Sequence, residues 1–225
     1  MMRRAAIRTL RAGLAGLAFL ALPNAHAQTV ELLVKHSAVS QGADGIKRSI
    51  EFSERLTRTP DSVWISRVLP SAAHSGHDHA KGGKAHKHLD VSTASRWITR
   101  AANGDIALRL VPNDEKVLVN VAKTDYGNVG FDGSWAAAWN LIDPATLKRM
   151  KTGPASGDLT TYTLAEKDRI LKVVWSTKLQ LPMRVESSDA SSRRQTEVQL
   201  LGAQTSRPWD KLQGFTQKDY SDYLD

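Results

Sequence analysis

The sequence predicts a mainly β protein, an antiparallel sheet curled around a short helical insert. Three observations predict it. Short apolar, β-branched segments recur along residues 29–203, each bounded by turn residues. Asn103-Gly104 stands between two of them, and Asn-Gly favours the positive φ angles of a tight hairpin turn. The alternation gives way, over residues 134–142, to apolar side chains at helical spacing.

The chain starts with a different kind of segment. Arg3, Arg4, Arg8 and Arg11 form a cationic start with no acid among them, followed by an uncharged apolar run over residues 12–22. Ala25-His26-Ala27 then offers small residues where a signal peptidase reads. This layout predicts a secretory leader over residues 1–27, cut before Gln28. The apolar run is about half of what a membrane-spanning helix needs, and no second run is longer. The expected product is exported to the periplasm and does not span the membrane. Cysteine is absent, so neither a lipid anchor at the cut nor a disulfide is expected, and stability must come from a core.

The leader also carries part of the charge. The whole chain has a formal net charge of +8; without the four leader arginines, 27 Lys and Arg stand against 23 Asp and Glu, or +4. No long basic stripe is present, so nucleic acid is not an expected partner. Residues 28–204 are expected to make one domain.

Within that domain, residues 29–39 read as a first strand, and Gly42-Ala43-Asp44-Gly45 as a turn. Residues 46–56 alternate, with Ile50 and Phe52 on one face and Ser49, Glu51 and Ser53 on the other. Thr59-Pro60-Asp61 turns into a strand over 62–69. Residues 95–101 and 105–111 flank Asn103-Gly104, and 116–122 follows. In the helical stretch, Trp135, Ala138, Trp139 and Ile142 share a face, with Asp132 or Ser134 as the cap. Asp143-Pro144 starts a second short helix over 144–151, Asp143 capping and Pro144 in the first turn, which Gly153-Pro154 is expected to end. Strands resume over 159–164, 169–177, 183–188 and 196–203, with a polar turn at 189–194. The total is about nine or ten strands and two short helices. Residues 205–225 carry Trp209, Phe215, Tyr220 and Tyr223 and are expected to pack on the domain as an aromatic tail, or to meet another envelope protein.

The stretch Val174-Trp175-Ser176-Thr177-Lys178-Leu179-Gln180-Leu181-Pro182-Met183-Arg184-Val185-Glu186 resembles a recurring element of periplasmic lipoprotein-carrier-like proteins, the LolA/LolB-like superfamily. There a strand bearing Trp or Ile meets a short loop, then Leu-Pro, then a strand through Val and Glu. The resemblance implies a half-open, incomplete β-barrel around an apolar cavity, with one or two short helices packed in or across the opening. It also implies a carrier for a lipid, acyl chain or lipoprotein. Under that reading Trp135, Trp139, Ile142, Trp175 and Leu181 are the candidate cavity residues; under the plainer reading they are ordinary core, since indoles bury large areas.

A second candidate lies in residues 70–88, which read as a flexible polar insertion foreign to that superfamily's pattern. His74, His77, His79, His86 and His88 fall within fifteen residues, with Asp78 among them. Neutral imidazoles bind Zn, Cu or Ni, so an envelope metal-binding accessory role is the alternative function. Incidental affinity of a His-rich loop is the plainer reading. His36 reads as an ordinary strand residue. The glycine-rich run from Asp125 to Trp135 ends at a helix start and offers N–H groups to an anion, but it is no phosphate-loop or dinucleotide fingerprint, and the plainer reading is a tight strand-to-helix connection. No nucleophile elbow or His-Glu-x-x-His pattern is present, and the expected activity is binding rather than catalysis.

Overall fold

The computed structural model describes residues 29–70, 89–113, 115–204 and 206–224. The expected leader at 1–27 and the five clustered histidines lie outside the described residues. The described chain forms one sheet of twelve strands, an incomplete barrel. In chain order these are β1 (Thr29–Gln41), β2 (Lys47–Arg58), β3 (Ser62–Arg67), β4 (Ser95–Arg100), β5 (Ile106–Val111) and β6 (Val117–Val121). After the helical section come β7 (Lys151–Ser156), β8 (Leu159–Glu166), β9 (Arg169–Ser176), β10 (Leu181–Ser188), β11 (Ser192–Gln204) and β12 (Thr216–Asp219). Their spatial order is β12-β6-β5-β4-β3-β2-β1-β11-β10-β9-β8-β7. Sequential antiparallel hairpins build each half, and β1 joins the halves by pairing with both β2 and β11. The sheet is not closed, because β12 and β7 are edges.

Strand alternation puts one apolar set on one face. Across the ladder Leu32 faces Leu56, Val63 faces Ile98, and Ile98 faces Leu108, so all five lie on the same side. They are at most 2% exposed, and each such side chain contributes about 1.5–3 kcal/mol of burial. A helical section covers this core face. It consists of a 3-10 turn (Lys123–Val129), helix α1 (Trp135–Asn140) and a second 3-10 turn (Pro144–Arg149). Tyr126, Val129, Phe131, Trp135 and Trp139 pack on the main cluster. Leu147 and Met150 form a second cluster with Val173 and Trp175. The opposite, outer face carries a smaller cluster, Trp64, Val111 and Leu118, against which Trp97, Trp209, Leu212 and Phe215 pack.

The tail reaches both faces by wrapping a sheet edge. Trp209 and Leu212 sit on the outer face, β12 pairs in parallel with β6, and Tyr220 then enters the main core. The aromatic tail therefore meets its own sheet.

Several local expectations have their physical reason in the structure. Gly104 adopts φ 89°, and its N–H donates to Ala101 O at 2.9 Å, closing the Asn103-Gly104 turn. Gly130 ends the first 3-10 turn at φ 72°, a left-handed conformation in which a side chain would be strained. Gly153-Pro154 departs from expectation. It does not separate a helix from a later strand but lies inside β7, where the register slips between Thr152 and Ala155. Proline is tolerated there because β7 is an edge, and a missing N–H on the outer side breaks no ladder bond. The polar turn expected at 189–194 is shorter, since β11 already begins at Ser192. Asp189 Oδ1 accepts the N–H groups of both Ser191 and Ser192 and completes that turn early. The 3-10 turn at 123–129 and β12 were not expected; both depend on packing against the sheet rather than on a local apolar period.

Candidate ligand-binding site

The core face carries the candidate site, and α1 is its central element. Ser134 caps α1, its Oγ accepting from Ala137 N at 3.1 Å, while Asp132 Oδ1 accepts from Ser134 N at 2.8 Å. Leu141 closes the helix at φ 65°, and Asp143 Oδ1 accepts from Ala145 N at 2.8 Å to start the next turn. These caps confine α1 to six residues.

Side chains rather than a backbone ladder anchor so short a helix to the sheet. Trp139 Nε1 donates to Thr59 O at 2.8 Å. Arg58, 4% exposed, donates through Nη1 to Trp139 O at 2.6 Å and through Nη2 to Leu179 O at 2.5 Å. Its guanidinium lies 3.7 Å from the centroid of the Trp139 ring. Burial pushes the Arg58 pKa down to about 10, still far above neutral, so the side chain stays cationic. Arg100 lies similarly over Trp135 at 4.7 Å. One arginine thereby ties the C-terminal end of α1, where a cation is favoured, to the β9–β10 connection.

The five residues proposed from sequence do not form one group. Trp135, Trp139 and Leu181 belong with the main cluster, whereas Ile142 and Trp175 belong with the second. Leu181 is 0% and Trp175 4% exposed, so both are structural core in this conformation. Trp135, Trp139 and Ile142 are half-buried.

A polar cluster continues the same face beyond the main core. The register places His36 opposite Phe52 and Glu54 opposite both Val34 and Arg67, all on the side of Leu32 and Leu56. The His36 ring stacks on Phe52 with centroids 4.6 Å apart, and its Nδ1 shares a 3.1 Å hydrogen bond with Thr196 Oγ1. His36 Nε2 stands 3.3 Å from Glu54 Oε2, an ion-pair distance without hydrogen-bond alignment. Arg96 Nη2 donates to Glu54 Oε1 at 2.9 Å. Burial pushes the Glu54 carboxyl up, but His36, Arg96 and Arg67 together hold it below the usual carboxylate range. Arg67 lies over Phe52, its Cζ 3.6 Å from the ring centroid. A cleft of about 670 Å³ borders this cluster at the rim of the sheet, lined by His36, Phe52 and Arg67 and, from the opposite face of the strands, by Lys35, Glu51 and Glu197 among others. Its volume is in the range of small-molecule sites.

Sequence reasoning passed over His36 because its partners lie far along the chain. One signal was available. Extending the alternation of β2 from Ile50 and Phe52 puts Glu54 on the apolar face beside Leu56, and a carboxylate on such a face requires partners.

The fold defines an open, helix-covered and mainly antiparallel sheet with an apolar inner face. No protein family and no curated protein matches the sequence. Similar solved structures include PNGF-II, at 12% identity and a TM-score of 0.41 over 88% of this chain. The chain spans only 32% of the length of PNGF-II. A DUF1329 family protein from Desulfovibrio piger is similar at 9% identity and a TM-score of 0.40, over 84% of this chain and 91% of that one. A LolA superfamily protein from Nitrosomonas europaea is similar at 9% identity and a TM-score of 0.35, over 85% of this chain and 91% of that one.

Proposed function

We propose that the chain is a periplasmic binding or carrier protein for an apolar or amphipathic ligand, such as a lipid, an acyl chain or the acylated end of a lipoprotein. One observation carries this reading. The apolar face of an open sheet is covered by a six-residue helix and two 3-10 turns, and Trp135, Trp139 and Ile142 on that cover stay half-buried. An apolar chain entering between cover and sheet would meet indoles and aliphatic side chains, and only the few anchors of α1 would have to shift. The leader pattern of residues 1–27 supports export, and among the described residues no helix is long and apolar enough to cross a membrane. The Leu-Pro hairpin supports the same reading by its resemblance to carrier-like proteins.

The test is extraction of the exported, purified protein with organic solvent, followed by mass spectrometry of the extract and titration of the stripped protein with a fluorescent acyl probe. Co-purified lipid and saturable probe binding are expected. Protein that carries no lipid and binds no probe overturns the reading.

A second reading rests on the histidine segment. Five histidines within fifteen residues suit a divalent Zn, Cu or Ni ion, which would make the chain an envelope metal-binding accessory protein. Titration with each metal should then give saturable binding that vanishes when His74, His77, His79, His86 and His88 become alanine. Unchanged binding in that variant ends this reading.

A further inference from the structure

We infer that Arg67, stacked on Phe52 beside the His36–Glu54–Arg96 cluster, seats the oxyanion head of an acyl-chain ligand, a carboxylate or a phosphate. The inference rests on the carrier reading and specifies the chemistry of its ligand. Three observations carry it. The Arg67 guanidinium lies 3.6 Å over Phe52 and makes no hydrogen bond or close ion pair among the described residues, its charge acting on Glu54 only at longer range. Contact with the ring holds the guanidinium in place, and the N–H donors of a guanidinium form a rigid planar fork that can donate to two oxygens of a carboxylate or a phosphate. The neighbouring carboxylate is already engaged: Glu54 is held by Arg96 at 2.9 Å and faces His36 at 3.3 Å.

The surroundings favour an anion with an apolar tail. On this face Arg67, Arg96 and Arg194 outnumber Glu54, since Arg194 pairs across from Ala38. Both acids lining the adjoining cleft, Glu51 and Glu197, stand on the other face of the sheet, and Glu197 is paired with Arg184 at 2.8 Å. Ile50, 61% exposed, and Phe52 offer apolar contact next to the head position. Inward from Arg67 the face continues through Ile65 and Leu56 into the main core and towards α1. A head on Arg67 and a chain directed along β2 and β3 would satisfy both halves of an amphiphile.

The experiment is competition for a bound fluorescent acyl probe by palmitate, lysophosphatidylglycerol and hexadecanol, on the full chain and on Arg67→Gln. The two anionic lipids distinguish a carboxylate from a phosphate head, and hexadecanol supplies the chain without charge. At least one anionic lipid should compete at about tenfold lower concentration than hexadecanol. Arg67→Gln should erase that preference and leave competition by hexadecanol unchanged. Arg67→Lys keeps the charge without the planar fork; it should fall between the two and carries the comparison if the glutamine variant does not fold. Equal competition by charged and uncharged lipids, or a preference that survives Arg67→Gln, overturns the inference while leaving the carrier reading standing. Failure of the probe to bind at all overturns both.

Discussion

Arg58 and Trp139 hold each other across the core: the guanidinium lies 3.7 Å over the indole and also donates to the tryptophan's own carbonyl oxygen at 2.6 Å. The burial that pushes the Arg58 pKa down to about 10 is an energetic cost, which the two carbonyl acceptors and the ring must offset. The short helix over the sheet is therefore fixed by a long-range contact, 81 residues apart in the chain.

Arg58→Ala removes both hydrogen bonds and the stacking, and leaves Trp139 O and Leu179 O without that donor. The expected loss is about 3 kcal/mol. Urea denaturation at neutral pH measures it, and a loss under about 0.5 kcal/mol would show that α1 is held by packing alone.

Glu54 predicts a specific acid sensitivity. Its folded-state pKa lies below its unfolded value, so its contribution to stability is fully present above the unfolded pKa and disappears as pH falls through the folded one. In Glu54→Gln that increment is missing at neutral pH, and the gap in stability between pH 7 and pH 3 should narrow. Parallel denaturation curves at the two pH values check this; an unchanged gap would mean that the His36–Glu54–Arg96 cluster does not couple to folding.

The tail should stabilise the sheet it wraps. The Trp209 ring stacks on Trp97 at a centroid distance of 6.3 Å and helps cover Trp64, Val111 and Leu118. Trp209→Ala should cost about 2 kcal/mol, less than a fully buried tryptophan because the ring is half-exposed. Thermal unfolding followed by near-ultraviolet circular dichroism reports both the loss and the changed environment of the remaining indoles.

The β8–β9 hairpin turns through Lys167, a non-glycine residue at φ 47°. Lys167→Gly should raise stability by about 0.5–1 kcal/mol, because relief of the left-handed strain exceeds the added backbone entropy of glycine. A lowered melting temperature would show that the lysine side chain contributes a contact that outweighs the strain.

Much of the sheet was legible in the sequence because strand formation leaves a local mark. Period-two alternation along 46–56, the Asn103-Gly104 turn and the Asp143-Pro144 start are each written within a few residues, and each fold feature lies within a few positions of its signal. Strand β7 and strand β12 left no such mark. One is an exposed edge containing Gly153-Pro154, and the other is four residues that pair only because the tail passes β6.

The sequence by itself determined that this is a β-rich chain with an apolar helical interruption, and which residues of β2 share a face. Only the tertiary structure decided that His36 meets Thr196 and Glu54, that Arg58 reaches Trp139, and that Trp175 and Leu181 are sealed in separate clusters. The reason is physical. A backbone preference is set by neighbouring residues, but a side-chain contact between strands depends on the register and order in which distant segments assemble. His36 and Thr196 are 160 residues apart, and they meet because β1 pairs with β11 at the seam between the two halves of the sheet.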